Sequence, residues 1–284
     1  MKKLILSFFV LVGMLISFED VIGQQTVLDG VFVNENTPSR KVIPYTNLRQ
    51  ADVMWSKRIW RRVDLRKKQN QVFYYPEEPA QGRKNLFDYI RQGILDDGTL
   101  TAYDPGTVVD PDDEFTRALT GVDVLKKMIN ETEVDIYDEY GDIIGTETVR
   151  DTLLATAIKF YEIKEEWFFE KQKSQLEVRI IGIKPVVEKE GPDGDPVLED
   201  LFWIYFPEAR FVFANSEVFN RINDAERRTY EDIFWKRQFE STIIKESNVY
   251  DRSISQYKTG LDALLEAEKI EEKIFNFEHD FWHY

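Results

Sequence analysis

Few residues in this chain could do chemistry. Its two histidines, His279 and His283, stand four apart in His279-Asp280-Phe281-Trp282-His283. On a helix, imidazoles at i and i+4 share a face and can hold one zinc, with an acid in the general-base place. No third ligand follows them, so the segment reads instead as an aromatic tail (Phe275, Phe277, Phe281, Trp282, Tyr284) packed on the body or on a partner. Ser255-Gln256-Tyr257-Lys258 has the serine-x-x-lysine spacing of penicillin-binding enzymes, and Lys258-Thr259-Gly260 matches their later triplet. Those motifs come from separate elements that converge, which one stretch cannot supply. Neither a nucleophile elbow nor a phosphate-cradling glycine loop is present. Asp193-Gly194-Asp195 and Asp110 to Glu114 lack the spacing of a twelve-residue calcium loop and read as a turn and a helix start. With 52 acidic residues, some carboxylate pair will sit at a separation useful for glycoside hydrolysis. No catalytic residue, cofactor or metal is therefore assigned.

The elements that would have to position any site are partly legible. From Asn47, the residues Leu48, Ala51, Trp55, Ile59 and Val63 recur at three- and four-residue steps, which predicts a helix with Arg58, Arg61 and Arg62 on its other face. Gln71 to Tyr75 reads as a strand stopped by Pro76, and Leu86 to Leu95 as a short helix before the turn Asp96-Asp97-Gly98. Glu133 to Tyr137 and Ile143 to Val149 predict a hairpin about the turn 138–141. Tyr161, Ile163, Glu165, Trp167 and Phe169 share one side of a strand, with a helix over Phe160 to Lys171 the alternative because alternation is weaker there. Next come Leu176, Val178 and Ile180 on one side, with Ile181 and Ile183 on the other. After the turn 191–196, Leu201 to Phe206 completes a three-strand meander. Phe211 onward reads as helical through Val218, Phe219, Ile222, Ile233, Phe234, Arg237 and Ile244. A last helix runs from about Thr259 to Phe277 through Leu261, Leu264, Leu265, Glu268 and Ile270. The fold class is α+β: an antiparallel sheet (a hairpin and a three-strand meander) packed with helices, and a helical C-terminal region.

Charge is unevenly distributed. The net charge is -15, yet residues 40–70 hold ten Lys/Arg against two acids, while residues 96–150 hold fifteen acids against four bases. The overall sign argues against nucleic acid as the main ligand. Opposite patches on one chain favour head-to-tail association into rings or filaments. Arg58, Arg61, Arg62 and Arg66 are the interface candidates, because a guanidinium pairs a carboxylate bidentately; the same residues could equally tie their segment to its own sheet. Trp167 and Phe169 are expected in the core, and Arg210, just after Pro207, in a buried salt bridge.

Met1, Lys2 and Lys3 followed by the apolar run Leu4 to Ile16 have the form of a secretory signal, with cleavage expected near Gly23. The chain has no cysteine, hence no disulfide and no lipid-acceptor site. The organisation expected is 1–23 signal peptide, 24–44 extended N-terminal arm, either disordered or laid across a neighbour, 45–155 the first half of a globular body and 156–284 the second, folded as one domain or two.

Several stretches resemble the gliding-motility protein N family (GldN, also called PorN) of the type IX secretion system. They are Trp55-Ser56-Lys57-Arg58-Ile59-Trp60-Arg61-Arg62-Val63-Asp64-Leu65-Arg66, Phe73-Tyr74-Tyr75-Pro76 and the run from Tyr161 to Gln172. Val178 to Ile183, Phe206-Pro207-Glu208-Ala209-Arg210 and Glu278-His279-Asp280-Phe281-Trp282 follow in the same order. The resemblance implies a non-enzymatic periplasmic ring subunit that supports protein secretion and gliding. It implies self-association, a lipoprotein partner (GldK/PorK) at the outer membrane, and contact with a motor protein (GldM/PorM). The family contributes no catalytic residue to carry over. The alternative from a different class is a periplasmic carbohydrate- or peptidoglycan-binding protein, or a hydrolase using carboxylates, suggested by the acids and by 39 aromatic residues.

Overall fold

The basic segment around Arg58 is a strand, and it lies between two others. In the computed structural model, which describes residues 40–80, 82–107, 110–137, 143–190, 196–220, 223 and 225–281, β1 spans Val53–Asp64. It pairs antiparallel with β5 (Ile158–Glu170) on one side and β9 (Thr242–Glu246) on the other. The helix expected here does not form. Trp55, Ile59 and Val63 are spaced by four, and four is a near-turn of a helix but also an even number, so the same residues fall on one face of a strand. β-branched and aromatic neighbours then favour the extended form. The short stretch Gln50–Asp52 before it is a 3-10 turn.

The main sheet has the order β2-β8-β6-β5-β1-β9, with β2 Ala102–Tyr103, β6 Gln175–Glu190 and β8 Trp203–Tyr205. A further strand, β7 (Pro196–Asp200), also pairs with β6. The hairpin β3 (Ile129–Tyr137) and β4 (Ile143–Thr152) forms a separate two-stranded sheet, as its alternation predicts. Its turn at 138–142, the turn at 191–195, the signal segment, residues 24–39 of the arm and His283 lie outside the described residues.

β5 and β6 keep one inward face despite a change of phase. Lys164 pairs with Gly182 and Glu165 with Ile180, so Ile181 is the extra residue of a bulge. Strict alternation predicts that Ile180 and Ile183 face opposite ways; the bulge returns both to the inward side, and both are buried. Gly182 is required on the outward side. A Cβ there would lie 2.5 Å from the Phe115 ring, which stands edge-on to Trp203 and Tyr205. Phe115 reaches this place with φ 60, and the helix expected to begin at Asp110 is absent. There the Asp112 carboxylate accepts the Glu114 N–H at 3.0 Å in a local turn that never propagates.

The helices are short apart from the last. α1 (Gln71–Tyr74) replaces the strand expected at 71–75 and ends before a cis Tyr75-Pro76 bond. α2 (Leu86–Leu95) begins at Asn85, whose side chain accepts the Asp88 N–H at 2.8 Å. α3 is Gly121–Met128. α4 (Phe206–Phe213) has Pro207 in its first turn and stops before residue 214, so the predicted helix from Phe211 is not continuous. α5 (Tyr230–Trp235) restarts after a reciprocal capping box between Thr229 and Asp232, and Ile244 of the predicted run lies in β9. α6 (Leu261–Phe281) matches the predicted C-terminal helix.

Two apolar clusters sit on the inward face. The larger joins Val63, Tyr161, Ile163, Ile183 and Ile204 of the sheet to Phe73, Leu86, Phe206, Phe213, Tyr230 and Phe234. The smaller holds Ile59, Ile243 and Ile254 against Ala267, Ile270 and Ile274 of α6.

Candidate interaction surface

Each of the four arginines meets a different environment because β1 alternates its side chains between two faces. Arg61 points inward and is buried. Its guanidinium lies 3.4 Å from Glu165 and 3.1 Å from Glu271 of α6, and donates to the Ser241 hydroxyl at 3.2 Å. Glu165 has no solvent exposure. It also receives Arg237 as a two-point contact at 2.8 and 3.2 Å and the Trp167 indole N–H at 3.0 Å. Arg62 and Arg58 point outward. Arg62 donates twice to Glu162, at 2.6 and 3.1 Å. Arg66, beyond the strand, clasps Asp64 and holds its carboxyl below the usual carboxylate range. Arg58 is exposed, and among the described residues it forms no ion pair.

The outward face carries the rest of a charged lattice. Glu162 is bridged to Lys184 at 2.8 Å, and Lys184 to Asp200 at 2.5 Å. Burial pushes the Glu162 carboxyl up, but the attraction of Lys184 and Arg62 outweighs it and leaves the pKa lowered. Burial likewise depresses Lys184, and Glu162 with Asp200 more than restores it, leaving the pKa raised. Lys164 is buried over Trp60 and Phe115, which lowers its pKa, and donates to the Asp113 carbonyl at 2.6 Å. Next to Arg58, across the strand, stands Glu166, followed on β6 by Arg179. There the face opens into a cleft of about 260 Å³ lined by Ser56, Glu166, Phe168, Arg179, Tyr45 and Tyr205, among others.

Tyr45 enters this cleft from the end of the arm. Residues 40–46 lie across the chain's own body. Arg40 pairs with Asp232 at 2.7 Å, Arg210 donates to the Ile43 carbonyl at 2.8 Å, and Arg179 donates to the Thr46 carbonyl at 2.9 Å. The Tyr45 ring is stacked on Trp235 with Arg210 4.1 Å and Arg179 4.9 Å from its centre. Burial raises the Tyr45 phenol, with Arg210 acting against it. Arg210 also makes the expected buried salt bridge, to Glu231 at 2.7 Å. Trp167 is packed against the smaller core, and Phe169 is buried.

α6 carries the feature that periodicity alone misplaces. Leu261, Leu264 and Leu265 belong to its predicted apolar pattern, yet they are 71, 57 and 45% exposed, and Phe275 is 66% exposed. Ala267, Ile270 and Ile274 face the sheet instead. The signal was present in the sequence as two apolar stripes about half a turn apart on one helix.

Among the described residues the motifs with possible chemistry are not gathered into a site. His279 lies on α6, Ser255 is in the 3-10 turn Ile254–Gln256, and the Ser255 hydroxyl contacts Ser253 at 3.0 Å. Among the described residues no three His, Cys, Asp or Glu side chains are placed to hold a metal ion, and no helix is long and apolar enough to cross a membrane. No curated protein matches the chain. One family does, the gliding motility associated protein GldN, whose model matches residues 48–283.

Proposed function

The chain belongs to the gliding motility associated protein GldN family, and from that premise we propose that it is a non-enzymatic structural subunit of the periplasmic ring of the type IX secretion system. Membership makes it a gliding-motility-associated protein; its part in secretion and its lack of catalysis belong to the proposed reading. In the proposed reading the chain is exported, its signal is removed near Gly23, and it is held at the outer membrane by a lipoprotein of the GldK/PorK kind. It engages the periplasmic part of a GldM/PorM-like motor and repeats a self-contact around the ring. The observation that carries this reading is the family match across residues 48–283, which embraces both halves of the body and not one module. The charged outward face, the open Arg58 and the uncovered side of α6 support a role in assembly.

The test is recovery of the tagged protein from detergent-solubilised outer membranes, followed by electron microscopy of the eluate. Ring particles with a stoichiometric lipoprotein are the expected result. A clean monomer at low salt, without lipoprotein, would refute the proposal and favour a soluble binding protein or hydrolase.

A further inference from the structure

Two surfaces of this molecule need a cover, and they face opposite ways. The first is the outer side of α6, where Leu261, Leu264, Leu265 and Phe275 are exposed beside Glu268 and Glu272. α6 as a whole carries seven acids (Asp262, Glu266, Glu268, Glu271, Glu272, Glu278, Asp280) against Lys269 and Lys273. The second is the outward face of β1, where Ser56 and Arg58 are exposed at the rim of the cleft lined by Phe168, Tyr205 and Arg179. α6 packs on the inward side of the same strand, through Ile59 and through Trp55, whose ring lies 4.5 Å from that of Phe277. One patch is therefore apolar and acidic, the other is a part-apolar hollow with Arg58 and Arg179 on either side of Glu166, so that guanidinium groups outnumber carboxylates there, and the thickness of the sheet separates the two patches.

We propose that the outer face of α6 docks into the Ser56–Arg58 cleft of a second copy of this chain, with Glu268 and Glu272 meeting Arg58 and the exposed leucines entering the hollow. The pairing is complementary in charge and in apolar character. A symmetric pairing of α6 with itself would oppose acid to acid. Because the two patches are different and face opposite ways, the contact leaves one free α6 face at one end of every dimer and one free cleft at the other, which is the condition for a ring or filament. This inference rests on the ring reading above and names the self-contact it requires.

The absence of cysteine in the chain makes the test direct. Ser56→Cys and Leu264→Cys are introduced together and separately into the full-length tagged protein, the membranes are oxidised mildly, and the products are separated without reductant. A disulfide needs Cα atoms within roughly 7 Å, a distance that the intervening sheet prevents inside one chain. The expected result is a ladder of cross-linked multimers from the double variant and monomer from each single variant. Arg58→Glu in the double variant should lower the ladder at least about tenfold, and adding Glu268→Arg with Glu272→Arg should restore it. Dimers from Leu264→Cys alone would mean symmetric contact and overturn the proposal. Intact multisubunit particles without any cross-link would overturn it while leaving the ring reading in place. Loss of all particles from the unsubstituted protein would overturn both.

Discussion

On the inward face of the sheet, the core built on Val63, Tyr161, Ile163 and Ile183 is closed by five short helices, whereas the core built on Ile59 and Ile243 is closed chiefly by α6. The boundary between them is polar. Arg61 falls between Ile59 and Val63 on β1, and Glu165 falls between Ile163 and Trp167 on β5, so the alternation that makes each core also places an ion pair in the middle of the face. Arg237, just after α5, reaches Glu165 from the larger core, and Glu271 reaches Arg61 from α6. The larger core is thus held by redundant packing, while α6 depends on a few apolar contacts and on this seam.

Breaking the seam should have the largest effect. Glu165→Ala leaves two guanidinium groups, one of them buried, without their shared counter-charge. Removing one member of a buried ionic group costs about 3–5 kcal/mol. Urea unfolding of the variant should show a loss of that size. A loss under about 1 kcal/mol would mean that water already solvates the cluster and that the two cores are not separated by a dry ionic boundary.

A buried side chain can next be removed from each core. Ile270→Ala in the smaller and Phe213→Ala in the larger delete fully or nearly buried side chains, at a cost of about 2–5 kcal/mol each. The cost should be spent differently. Ile270→Ala should free α6 for proteolysis while the sheet stays protected, because few other contacts hold the helix. Phe213→Ala should lower the global midpoint, since Phe234 stacks on it and Phe206 and Tyr230 pack against it at a tilt. Equal protease resistance of α6 in both variants would show that the two cores unfold as one.

How much of this was legible follows from the same comparison. α6, α2 and the β3–β4 hairpin could be read because one period dominates each. β1 could not, because Trp55, Ile59 and Val63 satisfy both periods and the charged residues between them carry no local sign of strand or helix. The break between α4 and α5 was hidden by apolar residues at helical spacing that serve short elements separately. Glu165 was visible as the one acid in an apolar strand face, but its partners at 61, 237 and 271 are remote in sequence, and no spacing rule links them. Of the four candidate arginines, sequence gave a shared type and a shared segment; only the pleat and the neighbours distinguish buried Arg61 from open Arg58.

The outward face supplies an effect that depends on pH. Glu162 has its folded pKa held below the ordinary 4.5, so its pairing with Lys184 and Arg62 stabilises fully above the unfolded value and is lost as pH falls through the folded one. Glu162→Gln should therefore lower stability at pH 7 and shrink the further loss between pH 7 and about pH 3. An unchanged difference between the two pH values would mean that the acid limb belongs to other carboxylates, Asp64 and Asp232 among them.

The smallest effect is expected where the same chemistry meets solvent. Arg66 clasps Asp64 with three contacts at 2.7–3.2 Å, better geometry than Arg61 has with Glu165, yet its side chain is 73% exposed. Water and salt screen the charges, and holding a long side chain in one rotamer costs entropy, so exposed pairs contribute little. Arg66→Ala should change the urea midpoint by no more than about 0.5 kcal/mol in equivalent stability, against several for Glu165→Ala. If the two losses were alike, burial would not be what distinguishes them, and the reading of the buried Arg61–Glu165 pair as the divider of the inward face would have to be given up in favour of simple pairwise attraction along β1.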